Sequence, residues 1–281
     1  MALTVLIVSL FVLMALRAPV AVALGVSSLL TFLVMDVPPV VAFQQMSAGI
    51  STFSLMAIPF FIFAGDLMAR AGIAERLVRL ASACLGNVRG GLGPVNVGAT
   101  MMFCSISGSA VASVSAMGST LIPMMRKEGY DADYAVNVTT CAAILGVLLP
   151  PSHNLILYAA VSGGASVSVS ELFLAGIVPG VMTGIILAIT AWLVAVRRGY
   201  PKGVFPGWGG FGRAAIAAVP GLFTAVIIFG GVLGSVFTPT ESSAVAVIYT
   251  AVIAFVVYRT LGLRDFVKAA QNAVKTTAMI M

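Results

Sequence analysis

Gly146-Val-Leu-Leu-Pro-Pro-Ser-His-Asn154 interrupts an apolar segment that runs from residue 132 to residue 160. A continuous helix cannot pass through this stretch. Two adjacent prolines remove two backbone donors and push the residues before them out of helical geometry. The carbonyls of Gly146, Val147 and Leu148 then need other partners: a bound cation, the side chains of Ser152 or Asn154, or water. A simple proline kink is the alternative, but it does not account for the Ser-His-Asn run directly after the prolines.

The surroundings of the break define its environment. Hydrophobic residues make up 60% of the 281-residue chain and charged residues 9%, whereas a soluble domain carries about 25% charged residues. So thin a polar coat cannot cover a soluble fold, and the surplus apolar surface must face lipid. The 29 glycines fit close helix packing in a membrane. The net charge of +6 reads as Lys and Arg in cytoplasmic loops. Basic residues interleaved with aromatics, which nucleic-acid binding needs, are lacking. Cys84, Cys104 and Cys141 form no CxxC pair, so neither a disulfide nor a metal site is expected. The apolar N-terminus has no basic residue in front of it, which predicts a retained first helix rather than a cleaved signal.

Spans are expected at 2–16, 20–35, 54–69, 132–160, 172–196, 214–236 and 241–258, with another apolar stretch, rich in Gly, Ser and Ala, between 90 and 125. Loops 36–53, 161–171 and 237–240 have no Lys or Arg, which places them outside and the basic loops inside. Arg89 and Arg126 then share the cytoplasmic side, with 36 residues between them. Two full crossings and a turn need about 40 residues. Mid-way lies Cys104-Ser-Ile-Ser-Gly-Ser-Ala110, polar and flexible between apolar flanks. A re-entrant hairpin over 90–127 is the better reading. Two tightly packed crossing helices are the alternative. The chain thus divides into N-terminal spans with an amphipathic cytoplasmic segment (1–89), a transport-type region (90–163) and further spans (164–281).

Non-helical backbone survives at membrane depth only when it is buried in protein or lines a wet cavity. Carriers use it to hold ions and substrates near the midplane. Ser105, Ser107, Gly108, Ser109 and Ala110 make the expected hairpin tip, and residues 146–154 the break. Helix N-termini following both would offer N–H groups to an anion, while freed carbonyls and hydroxyls suit Na⁺. Proton-driven carriers usually need an embedded carboxylate. Asp66 is spaced to pair with Arg70 on a helix, and Glu241 completes a Thr238-Pro-Thr-Glu capping box. Na⁺ coupling is therefore favoured, and His153 is the one titratable group at the site that keeps H⁺ coupling open.

Several stretches together resemble a known family. They are Pro59-Phe-Phe-Ile-Phe-Ala-Gly-Asp66, Gly108-Ser-Ala-Val-Ala112, Pro150-Pro-Ser152 followed by Ile156-Leu-Tyr158, Phe173-Leu-Ala-Gly-Ile-Val-Pro-Gly180, and Phe237-Thr-Pro-Thr-Glu241. They resemble the large membrane subunit of tripartite ATP-independent periplasmic (TRAP) transporters. The resemblance implies an all-α membrane protein, a multi-span helical bundle that forms half of an elevator-type carrier with inverted repeats. It implies Na⁺-coupled uptake of C4-dicarboxylates, sialic acid, keto acids and similar carboxylates across a bacterial inner membrane, with no cofactor. A periplasmic substrate-binding protein and a small four-helix membrane subunit would be its partners. Ser105, Ser107, Gly108, Ser109 and Ala110 would hold one Na⁺ with Gly146, Val147 and Pro150. Ser109, Ser152 and Asn154, with Pro151 beside them, would lie near the substrate carboxylate. Ser113 stands where relatives frequently carry an acid.

Relatives run past residue 281 into a second hairpin and break. Here 264–276 reads as an amphipathic cytoplasmic segment and 276–281 as the first turns of another apolar helix, so a C-terminally truncated chain is expected. Two rival functions are an intramembrane serine hydrolase pairing Ser107 or Ser109 with His153, which lacks a nucleophile-elbow motif, and a non-transporting scaffold subunit.

Overall fold

The computed structural model describes residues 2–162, 167–203 and 206–280. Helices are the regular elements of the described residues, in two compact units that meet between Thr52 and Phe53. The first unit holds α1 (Ala2–Ala15), α2 (Val20–Val34) and α3 (Pro39–Ile50). α1 and α2 fill two of the expected spans, but with 14 and 15 residues they are shorter than the roughly 20 a straight crossing requires. α3 corrects the sequence reading, which made 36–53 a loop. Pro39 occupies the first helical position, where its missing N–H costs nothing.

In the second unit a 3₁₀ turn (Phe53–Met56) leads into α4 (Ala57–Arg70), followed by α5 (Ile73–Leu85), α6 (Leu92–Ser107) and α7 (Ala110–Lys127). Then come α8 (Ala132–Ala143), α9 (Leu145–Leu148) and α10 (His153–Val161). The long α11 (Val169–Arg197) and α12 (Gly207–Leu233) precede α13 (Pro239–Val252), its π-helical extension (Ile253–Val257) and α14 (Leu263–Ile280). Among the described residues, four segments are long and apolar enough to cross a bilayer: Phe53–Arg70, Val169–Arg197, Gly207–Leu233 and Pro239–Val257. Ala132–Leu148 with His153–Val161 makes a fifth, bent by 42°. The chain is a multi-span helical membrane protein, as its composition requires. Outward faces are apolar, with Val178, Met182, Ile185 and Ile189 of α11 exposed.

α5 lies in the basic segment and is strongly amphipathic. It buries Ile73, Ala74, Leu77, Val78 and Ala81 at helical spacing and exposes Glu75 and Arg79. Its Arg76 guanidinium lies 3.7 Å from the centroid of the Tyr258 ring. α14 runs unbroken over Leu263–Ile280, so the two segments expected after residue 264 form one helix as far as they are described. Phe266 packs edge-on to Phe63 of α4, with centroids 5.2 Å apart.

One end of this unit gathers the starts of α6 and α8 with the end of α11. Trp192 Nε1 donates to the Arg89 carbonyl (3.2 Å), and Gly90 N to the Pro201 carbonyl (3.0 Å). Arg198 reaches both Asp131 and Asp133 at 3.1 Å, and the Tyr200 hydroxyl donates to Asp131 at 2.7 Å. Burial, then the bond to Asp131, holds the Tyr200 phenol above its ordinary pKa. Exposed ion pairs of this kind add little stability. Their work here is to hold three chain segments at one end. That end carries Arg89, Arg126, Lys127, Arg197, Arg198 and Lys202, the basic residues that the positive-inside pattern leads one to expect on the cytoplasmic side.

The spacing Asp66–Arg70 gives an ion pair of 3.1 Å. At the start of α13, Thr238 Oγ1 accepts from Glu241 N (3.3 Å) while Glu241 Oε2 accepts from Thr238 N (2.8 Å), a complete capping box. Thr238→Ala should cost about 0.5–2 kcal/mol, lowering the thermal unfolding midpoint in detergent. An unchanged midpoint would show that this helix end needs no cap.

Candidate functional site

The hairpin and the broken helix meet tip to break. α6 and α7 reverse direction over two residues, Gly108 and Ser109. Gly108 takes the left-handed conformation (φ 61°), and Ser109 is extended and caps α7 by accepting from Ala112 N at 3.3 Å. The turn is buried, so the hairpin ends inside the protein. Gly108 is fixed for two reasons. Its positive φ disfavours a side chain, and a Cβ there would run into the Pro151 carbonyl oxygen.

Two further glycines clamp the turn. A Cβ at Gly65 of α4 would lie 3.1 Å from Cα and Cβ of Ser107. A Cβ at Gly146 of α9 would lie 3.0 Å from Ala110 N and from the Ser109 carbonyl carbon. The break is held from its other side by α11. There Gly176, Gly180 and Gly184 recur every four residues, and added Cβ atoms would lie 2.5 Å from Leu148 O, 2.7 Å from Leu149 Cδ2 and 2.9 Å from Met101 Sδ. This is the small-residue stripe that lets membrane helices approach closely. The sequence reading quoted Gly176 and Gly180 without giving them this role. The fourfold spacing was the available signal.

The break itself is shorter than the sequence reading made it. Gly146, Val147 and Leu148 stay in the single turn of α9, and Leu149 turns extended (ψ 129°). A proline removes the hydrogen bond one turn upstream and forces only its immediate predecessor out of the helix. The predicted loss of donors to proline therefore stands for Gly146 and Val147, while the predicted unwinding moves to 149–152. Pro150 and Pro151 have no N–H to give the carbonyls of Gly146 and Val147. Pro150, Pro151 and Ser152 are all buried.

Ser105 is the predicted residue that the structure keeps apart from the tip. It lies inside α6 and bonds the Met102 carbonyl at 2.8 Å. Ser107 points into the hairpin, 3.2 Å from Ser113 Oγ, and Ser113 donates to the Ser109 carbonyl at 2.7 Å. Ala110 begins α7. Ser152 caps α10 with its backbone alone: its hydroxyl is buried and has no hydrogen-bond partner. The neighbouring His153 Nδ1 is likewise buried without a partner, whereas Asn154 is exposed.

The polar groups at the junction are therefore of two kinds. The carbonyl oxygens of Gly146 and Val147 lack helical donors. Beside the break begin two helices, α7 and α10, whose first amides have no partner within the helix. To these add the Ser152 hydroxyl and the Ser109 hydroxyl, which accepts one bond and keeps its proton to donate. Neither stretch, 104–110 or 146–154, contains an Asp or Glu. Such a set can hold a small cation by neutral oxygens and an anion by N–H and O–H donors.

Comparison with known proteins agrees with this architecture. Residues 7–281 match the family model of the DctM component of tripartite ATP-independent periplasmic transporters. The chain is 40% identical over 264 residues to the C4-dicarboxylate TRAP transporter large permease protein DctM of Vibrio cholerae, covering 93% of this chain and 58% of the relative. It is 38% identical over 239 residues to the sialic acid TRAP transporter large permease protein SiaM of the same organism, covering 85% and 55%. Salmonella typhimurium YgiK is 39% identical over 274 residues, covering 96% and 62%. The chain belongs to the TRAP large permease family, and it spans about 55–62% of the length of these three relatives.

Gly108→Ala should lose far more stability than Gly129→Ala. Both glycines have positive φ, but nothing lies within 4 Å of a Cβ at Gly129. The control should cost about 1–2 kcal/mol, while Gly108→Ala should abolish monodisperse protein in size-exclusion chromatography. Equal behaviour of the two would contradict the tip-to-break contact.

Proposed function

We propose that this chain is the substrate-translocating part of a TRAP transporter large permease in a bacterial inner membrane. There it couples uptake of small organic anions, carboxylates such as C4-dicarboxylates, keto acids or sialic acid, to the Na⁺ gradient. One observation carries the reading: a buried turn seated on a proline break, with donor-deprived carbonyls beside two helix N-termini and the unpartnered Ser152 hydroxyl. Family membership supports it, and the C4-dicarboxylate and sialic acid relatives motivate the substrate class. A small four-helix membrane subunit and a periplasmic substrate-binding protein would complete the assembly.

The coupling follows from electrostatics. Na⁺ would sit against the carbonyls of Gly146 and Val147 and the tip backbone. The carboxylate would take the hydroxyls of Ser109 and Ser152, the N-terminal amides of α7 and α10, and the Asn154 amide. Bringing either ion alone into this dry place is costly. Together they neutralise each other, and unit charges about 4 Å apart attract by about 4 kcal/mol at an effective dielectric near 20. Each ligand thus raises the other's affinity, as linkage requires.

His153 supports a second reading, H⁺ coupling, because its Nδ1 is buried and unpartnered within the break. The test is uptake of labelled carboxylate into proteoliposomes holding the full-length permease and its partners. An inward Na⁺ gradient should drive accumulation, and Ser109→Ala or Ser152→Ala should raise KM about tenfold or more. Uptake that follows an imposed pH gradient and ignores Na⁺ would establish the second reading instead.

A further inference from the structure

A fully buried polar network lies away from the tip and the break, between the hairpin's first arm and the lower half of the broken helix. Asn96 of α6 donates from Nδ2 to Thr139 Oγ1 of α8 at 2.7 Å, with Met125 Sδ of α7 at 3.4 Å. Asn96 Oδ1 accepts from Thr100 Oγ1 at 3.3 Å, and Thr139 passes its own proton to the Ala135 carbonyl at 2.8 Å. Asn96, Thr100 and Thr139 have no exposed surface. A carboxamide so placed is costly unless its partners are in position.

Its place along the chain carries the inference. Gly108, whose Cα rests on the Pro151 carbonyl, lies twelve residues after Asn96, and Pro151 itself lies twelve residues after Thr139. The two helices rise side by side from the same end, so the Asn96–Thr139 bond and the Gly108–Pro151 contact are the two rungs of one ladder. Sliding α6 by one residue against α8 would shift the tip by about 1.5 Å and turn its side chains by about 100°. The apolar contacts nearby, among them Val97, Ala142 and Leu145, are less directional than a hydrogen bond, and Cys104 Sγ reaches the Ala143 carbonyl only at 3.9 Å. A single buried polar residue fixing helix register is well attested elsewhere.

We propose that Asn96 and Thr139 are a register pin: positioning residues that seat the hairpin tip on the helix break and thereby set the affinity of the ion site. The ion-affinity part rests on the function proposed above. The pin itself is a statement about tip placement and is tested separately.

In proteoliposomes with the complete transporter, Thr139→Val and Asn96→Leu should each raise the Na⁺ concentration for half-maximal uptake about three- to tenfold. The double variant should add little more, and Thr139→Ser should behave as wild type. Maximal rate and the amount of assembled complex should stay within about twofold, a split that general destabilisation would not produce. For tip placement, Val111→Cys and Tyr158→Cys, both exposed positions, carry spin labels in a background with Cys84 and Cys141 replaced by Ala. Thr139→Val should broaden or displace their distance distribution. An unchanged distribution overturns the pin. A changed distribution with unchanged Na⁺ dependence overturns its link to ion affinity. Wild-type uptake that needs no Na⁺ would count against the proposed function and leave the distance measurement to decide the pin.

Discussion

Gly108 and Pro151 bring two interruptions of helical backbone into contact, and the rest of the second unit is arranged around that contact. In a bilayer an unpaired carbonyl or amide has no water to turn to, so an interrupted helix must be covered by protein or opened to a wet cavity. Stacking the two interruptions lets one cover the other. The requirement explains the glycines. Gly65 admits Ser107, Gly146 admits the start of α7, and Gly176, Gly180 and Gly184 admit the break and the hairpin arm. A methyl group at any of these places would push helices apart at the depth where separation leaves backbone bare.

The same arrangement concentrates unused polar capacity in one place. The two prolines deny donors to the carbonyls of Gly146 and Val147, while α7 and α10 begin there, their first amides without partners inside the helix. The Ser152 hydroxyl is buried beside them without a partner. Under the proposed function a cation and a carboxylate, entering together, would satisfy these groups. The exposed cluster of Arg198, Asp131, Asp133 and Tyr200 and the buried pair Asn96–Thr139 act on this junction from a distance, by fixing where the helices that carry it begin and how they are registered.

Much of this was legible in the sequence because proline, glycine and charge act locally. The Pro-Pro pair marked the break, the basic residues marked one end, and Thr238 to Glu241 marked a helix start. The errors are equally local. The serines of 105–107 read as part of a flexible tip, yet membrane helices tolerate serine because its hydroxyl bonds the preceding turn, as Ser105 does to Met102. Residues 146–148 read as unwound, yet the prolines take donors from Gly146 and Val147 without driving any of the three out of the helix. α3 has no charged residue to announce it and was taken for a loop. What no local signal could give was the partner: that Gly108 faces Pro151, that Asn96 faces Thr139, and that the α11 glycines, whose fourfold spacing marks a packing stripe, pack against the break in particular.

The central claim is that the tip and the break together form the ion site. Hydrogen–deuterium exchange of the full-length permease in Na⁺, against choline at equal ionic strength, tests it most directly. The account predicts slower exchange in peptides covering 104–113 and 146–156, with little change elsewhere. Exchange in those peptides that is the same in Na⁺ and choline, with protection confined to other segments, would contradict it.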